Sequence, residues 1–249
     1  MSKLFYLLSL LLIIILGIYL NRSYARIYSL FEKTTNPNTS LDYTIGPKNT
    51  THTVRYAALG DSLTAGVGAE KEEGSWPYLL ATKMSDKNTK IKLFNLGQPG
   101  AKAIDVLNQQ LVPLASFHPD LITLFIGTND VHNRINLEAF KNTYTNILNQ
   151  LATFKETEII LINIPYLGAD KLILPPYRWY FNRKIQKYNS IINNLATERN
   201  IKIIDLYSYS QLNSKPMKNE QDKFYSIDLF HPSTYGYVLW SEIIYANLH

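Results

Sequence analysis

The chain has 249 residues, 46% of them apolar, a formal net charge of +5 and no cysteine. The length fits one domain plus an appendage, and the missing cysteines exclude disulfides and any zinc or thiol chemistry built on cysteine. Three of the 25 basic residues (Lys3, Arg22 and Arg26) fall in the first 26 positions, leaving 22 against 20 acids in the rest. No Lys/Arg-rich run interleaves with aromatics, so a nucleic-acid groove is not expected. The densest basic cluster, Arg178, Arg183, Lys184 and Lys187, reads as a solvated helix face.

Leu4 to Leu20 is free of charge, rich in Leu and Ile, and preceded by Lys3. Its 17 residues reach the short end of a membrane span and exceed the usual signal-peptide core. Residues 1–26 are therefore expected to be an uncleaved signal-anchor. A cleaved signal peptide is the alternative, with Ser23-Tyr24-Ala25 as a small-x-small cleavage site. Lys3 on one side and Arg22 and Arg26 on the other give almost no positive-inside bias. Export is the common use of such a leader. The expectation is an extracytoplasmic domain anchored by one helix, or secreted if the leader is cut.

Residues 27–53 are rich in Thr, Asn, Pro and Ser, with Asn36-Pro37 and Gly46-Pro47 as breakers. They read as a polar spacer, part of which packs on the domain if it is not a free coil. From residue 54 to 249, short apolar runs alternate with helical periods. The strand candidates are Arg55–Leu59, Ile91–Asn95, Leu121–Ile126, Glu158–Ile164 and Ile201–Leu206. Leu137 to Phe154 and Phe181 to Leu195 carry a helical repeat, and residues 233–248 close the chain as a helix. That alternation predicts an α/β domain, a parallel sheet covered on both faces, with its site beyond the C-terminal strand ends.

Four blocks fall at strand ends or helix starts: Gly60-Asp61-Ser62-Leu63, Asn95-Leu96-Gly97-Gln98-Pro99-Gly100, Gly127-Thr128-Asn129-Asp130 and, ahead of the last helix, Asp228-Leu229-Phe230-His231-Pro232. Ser62 sits where a strand turns into a helix, which suits a nucleophile exposed at a sheet edge. A helix N-cap is the bland alternative, and both are compatible. His231 suits a general base because Asp228, three residues earlier, can accept a hydrogen bond from its Nδ1 and stabilise the imidazolium. Asp61 and Asp130 read as local hydrogen-bonders to loop backbone. No Gly-x-Ser-x-Gly elbow occurs, which argues against the α/β-hydrolase fold. No zinc-protease, P-loop or full Rossmann signature is present, so neither metal nor cofactor is expected.

The four blocks together resemble the SGNH hydrolases, or GDSL esterase/lipase family, over about Val54 to the C-terminus. The four named positions are filled by Ser62, Gly97, Asn129 and His231. The resemblance implies a flavodoxin-like three-layer αβα sandwich with about five strands. It also implies a Ser62–His231–Asp228 triad working through an acyl-enzyme. The oxyanion donors would be the backbone N–H of Ser62, the backbone N–H of Gly97 and the side-chain amide of Asn129.

The substrate is less specified. Pro165 to Phe181 is dense in apolar and aromatic residues, and Leu172, Leu174, Tyr177 and Trp179 are candidates for an acyl-chain wall. Equally, half of that segment starts the next helix and is simply core. The leading expectation is a membrane-tethered or secreted esterase of lipid-like acyl esters, of lysophospholipase type. An O-acetyl esterase of cell-envelope glycans is the alternative within the family. A catalytically silent anchored binding module is the alternative from another class. Expected partners are a small-molecule or lipid ester and the membrane, through the N-terminal helix.

Overall fold

The computed structural model describes residues 2–31, 42–50, 52–166, 172, 175–213 and 221–248. Six strands form one sheet: β1 (Asp42–Ile45), β2 (His52–Gly60), β3 (Thr89–Asn95), β4 (Leu121–Phe125), β5 (Glu158–Ile162) and β6 (Lys202–Ile204). Their order is β1-β3-β2-β4-β5-β6. The last five in that order are mutually parallel. They repeat the flavodoxin-like 2-1-3-4-5 order, which reverses direction between β2 and β4.

β1 is the correction. It runs antiparallel to β3, with Asp42 opposite Phe94 and Ile45 opposite Ile91. The sheet is therefore mixed and six-stranded, and part of the expected spacer belongs to the domain. The physical reason is small: Ile45 is the one residue of β1 that the core buries. Residues 32–41 and Thr51 of that stretch lie outside the described residues.

The helices are α1 (Ser2–Phe31), α2 (Ser62–Ala65), α3 (Trp76–Met84), α4 (Ala103–Asp105) and α5 (Leu114–Phe117). They continue as α6 (Thr128–His132), α7 (Leu137–Leu151), α8 (Tyr177–Glu198), α9 (Leu206–Asn213), α10 (Gln221–Phe224) and α11 (Thr234–Ala246). Strand alternation sorts the core into two layers. Ala57, Leu59, Ile122 and Leu124 pack against Phe140, Tyr144 and Ile147 of α7 and Ile185 and Ile192 of α8. Tyr56, Ala58, Phe125 and Ile160 pack on the other face against Trp76 and Leu80 of α3 and Tyr237 and Trp240 of α11. The caps follow the sequence: Asn136 accepts from Glu138 N and Ala139 N at the start of α7, and Ser233 accepts from Gly236 N at the start of α11.

α1 stands apart from this sandwich. Lys3–Arg22 is long and apolar enough to cross a membrane, with mean hydropathy 2.4, and its side chains are almost all exposed. Among the described residues it meets the domain where the Tyr19 hydroxyl donates to the Pro175 carbonyl at 3.1 Å.

Candidate active site

β2 ends at Gly60, and the chain turns at Asp61 into α2, whose first residue is Ser62. Asp61 caps that helix by accepting from Leu63 N at 2.9 Å. Two side chains from other elements clamp the turn. Gln110 pairs with the Gly60 backbone through both amide atoms, donating to its carbonyl at 2.8 Å and accepting from its N–H at 2.9 Å. Asn95, at the end of β3, donates to the Thr64 carbonyl at 3.0 Å. Ser62 is thus placed by a rigid strand end.

His231 arrives from the opposite direction, on the loop between α10 and α11. That loop is closed by a Tyr225–Pro232 bridge and by Ser226 N donating to the His231 carbonyl at 2.8 Å. Asp228 Oδ1 accepts three hydrogen bonds, from the Ser226 hydroxyl at 2.6 Å and from the Phe230 and His231 N–H groups at 2.9 Å each. Its second oxygen, Oδ2, lies 2.5 Å from His231 Nδ1. His231 Nε2 lies 2.9 Å from Ser62 Oγ. With Nδ1–H donated to Asp228, Nε2 is left to accept the serine proton. All three residues are buried. The structure thus joins the three triad candidates in one hydrogen-bonded line.

The candidate oxyanion donors divide. The Ser62 N–H has no acceptor among the described residues. Asn129, at the start of α6, donates one amide hydrogen to the Ala101 carbonyl at 3.0 Å and keeps the other. Gly97 differs from expectation. Its N–H donates to Asn95 Oδ1 at 3.0 Å, and a Cβ there would stand 2.3 Å from Ala65 N. Gly97 therefore lets β3 pack onto α2 and has no donor to spare. Gly100 has the features first assigned to Gly97. Its φ is +81°, a Cβ would meet nothing within 4 Å, and its N–H has no acceptor among the described residues. The second glycine of the block was visible in the sequence; which of the two faces open space was not.

The remaining candidates also divide. Leu172 is 1% exposed and part of the core beneath α7 and α8, so it is no open wall. Tyr177 is half-buried against that core, Trp179 is exposed on α8, and Leu174 lies outside the described residues. Nearer the chemistry, Phe230 sets its ring edge-on to His231, 5.0 Å between centroids, and remains half-exposed. Among the described residues no three potential metal ligands converge.

Two buried carboxylates flank the site. Burial pushes Asp61 up to about 7, and the nearby Asp130 charge pushes the same way. The Thr128 hydroxyl approaches Asp61 without reaching hydrogen-bond geometry, leaving Asp61 Oδ2 unpartnered. Burial likewise raises Asp130 to about 6, opposed by the Ala103 N–H that it accepts at 3.0 Å. Their carboxylates accept from Leu63 N and Ala103 N and stand outside the Ser62–His231–Asp228 line. They buttress loop backbone, as does Asp205, held by Ser208 and Asn163.

The model of the GDSL-like lipase/acylhydrolase family matches residues 58–239. Among curated proteins, the spore germination lipase LipC of Bacillus licheniformis is 27% identical over 217 residues, covering 78% of this chain and 96% of that protein. Among solved structures, a lipase/acylhydrolase from Enterococcus faecalis aligns with TM-score 0.59 at 22% identity, over 78% of this chain and 94% of the other. The acetyl xylan esterase AlAXEase aligns with TM-score 0.61 at 22% identity, over 79% of this chain and all of the other.

Proposed function

From the premise that this chain belongs to the GDSL-like lipase/acylhydrolase family and is an ester-hydrolysing enzyme, we propose that it cleaves lipid-like acyl esters with Ser62 as nucleophile. The observation that carries the chemistry is the Ser62–His231–Asp228 line, at 2.9 and 2.5 Å. Ser62 Oγ attacks the ester carbonyl carbon while its proton passes to Nε2. Asp228 holds the ring and stabilises the imidazolium. The oxyanion forms against the N–H groups of Ser62 and Gly100 and the free amide hydrogen of Asn129. Collapse breaks the ester C–O bond, and the leaving alcohol takes the proton from Nε2. Water then attacks the acyl carbon as it gives a proton to the same nitrogen; the bond from that carbon to Ser62 Oγ breaks, Oγ recovers the proton from Nε2, and the acyl group leaves as a carboxylic acid.

The acyl-lipid assignment rests on three supports. The curated relative is a lipase, α1 is apolar enough to keep the enzyme at a membrane, and Phe230 offers half-exposed apolar surface beside the base. In this reading α1 is an uncleaved anchor.

The test is a p-nitrophenyl ester series on the detergent-solubilised full chain. Each methylene that finds a pocket adds about 0.8 kcal/mol of binding, so kcat/KM should climb from acetate to medium chains. Phe230→Ala should flatten that climb. Strict preference for acetate, indifferent to Phe230, would instead establish an O-acetyl esterase of glycans. Absence of any fluorophosphonate labelling at Ser62 would mean a silent binding module.

A further inference from the structure

The catalytic geometry leaves the start of α8 unexplained. Trp179 is 65% exposed and Tyr180 47%, on a helix whose other face is core. At 100° per residue, Trp179, Tyr180, Arg183, Lys184 and Lys187 fall within an arc of about 140°. Lys184 Nζ sits over the Tyr180 ring, 4.9 Å from its centre. Residues 177–188 include no carboxylate. This face is aromatic and cationic together, the composition of an element resting at a membrane surface.

A second observation fixes its level. Tyr19 stands at the end of the apolar run of α1, three residues before Arg22, where a spanning helix leaves the hydrocarbon. Its hydroxyl holds the Pro175 carbonyl, two residues before α8 begins. The same contact that fastens α1 to the domain therefore brings the first turns of α8 to headgroup depth. Phe181, on the next turn, stacks on His132 of α6, the helix that carries Asn129.

We propose that the Trp179–Lys187 face of α8 is a docking surface for anionic lipid headgroups, seating the rim of the catalytic cleft on the bilayer that α1 spans. This rests on the anchor reading above and deepens it by assigning a second, non-covalent contact with the same membrane. Trp179 and Tyr180 occupy the interface, and Arg183, Lys184 and Lys187 meet lipid phosphates. Substrate then reaches Ser62 along the membrane plane.

Of the three tryptophans, Trp76 and Trp240 are buried, so Trp179 is its own reporter. The full chain is reconstituted into phosphatidylcholine vesicles containing phosphatidylglycerol, and vesicle flotation confirms retention. The Trp179 signal is the emission lost in Trp179→Phe. It should be quenched by nitroxide-labelled lipid with a shallow label and shielded from aqueous iodide. The triple substitution Arg183→Gln, Lys184→Gln, Lys187→Gln, or vesicles of phosphatidylcholine alone, should restore most of the iodide quenching. Floated protein whose Trp179 is quenched freely by iodide and not by nitroxide lipid overturns the docking surface while leaving the anchor intact. Shielding that is equal on both vesicle types and unaffected by the triple substitution overturns the anionic-headgroup assignment. Chain that does not float overturns the anchor and the surface together. None of these readouts depends on hydrolysis, so a failed esterase assay is a separate result.

Discussion

The two ends of the sheet treat charge in opposite ways. At the C-terminal end, Ser62, His231, Asp228, Asp61 and Asp130 are all buried, and apart from Asp61 Oδ2 their side-chain polar atoms are held largely by one another and by loop backbone. At the N-terminal end, Arg55 of β2 grips Asp120 with two side-chain bonds at 2.8 and 3.1 Å, and both residues remain half-exposed. An exposed pair of this kind typically contributes about 1 kcal/mol or less. A buried polar group that loses its partner costs about 1–3 kcal/mol. The proposed catalysis uses the costly arrangement at one end only.

Breaking the C-terminal end at its centre should have the largest effect. Ser62→Ala and His231→Ala should each lower kcat on the order of 10⁴-fold or more, and the double variant should be little worse because the two act as a unit. A Ser62→Ala enzyme with most of its esterase activity would falsify the assignment. Asp228→Asn should approach the same loss, since the Nδ1 bond orients the ring. Arg55→Met, at the opposite end, should leave kcat unchanged in the same assay.

Next in size are the oxyanion donors. Asn129→Ala should reduce kcat by roughly 10²–10³ with little change in KM, because the amide serves charge that exists only in the transition state. A raised KM with intact kcat would make Asn129 a substrate-binding group instead. The two glycines sharpen the point. Gly97→Ala drives a Cβ into the backbone of α2 and should cost about 1–3 kcal/mol of stability by overpacking. Gly100→Ala meets no atom, and pays only for a left-handed backbone, about 1–2 kcal/mol. Thermal melts beside kcat separate them: Gly97→Ala should shift Tm more, and Gly100→Ala should lose kcat more than stability explains. The reverse pattern returns the donor role to Gly97.

What could be read from the sequence follows the same division. Ser62, Asp228 and His231 were legible because their signals are local: a strand-to-helix turn for one, a three-residue spacing for the others. The alternation of strands and helices made the parallel sandwich legible too. β1 was hidden because a four-residue edge strand with one buried side chain looks like polar linker. Leu172 was ambiguous because an apolar residue serves a core and a pocket equally well. Asn95, Gln110 and Ser226, which hydrogen-bond the turn and the Asp228 loop, carry no sequence signal of that role beyond being polar residues in or near a motif. Their roles come from partners 2 to 50 residues away.

A further contrast lies in pH-dependent stability, where the two ends should respond with opposite sign. Asp61 has its folded value raised by burial from the ordinary 3.8 to about 7. Its contribution is fully present below pH 3.8 and is lost as pH rises toward 7, because the folded state binds the proton more tightly than the unfolded chain. Asp120 is held below 3.8, chiefly by its hydrogen bond from Arg55, so its contribution is present above that value and lost as pH falls further. Thermal melts from acid to neutral pH should therefore show Asp61→Asn flattening the decline in stability between pH 3.8 and about 7. The asparagine carbonyl oxygen can still cap α2 at Leu63 N, so the fold should survive. Asp130, raised to about 6, should retain a smaller slope of the same sign until it too is replaced. Asp120→Asn should leave that window untouched and blunt only the acid loss below it. If Asp61→Asn left the slope from pH 3.8 to 7 unaltered, the aspartate would already be ionised in the fold. The contrast between the buried and the exposed end of the sheet would then fail at that residue.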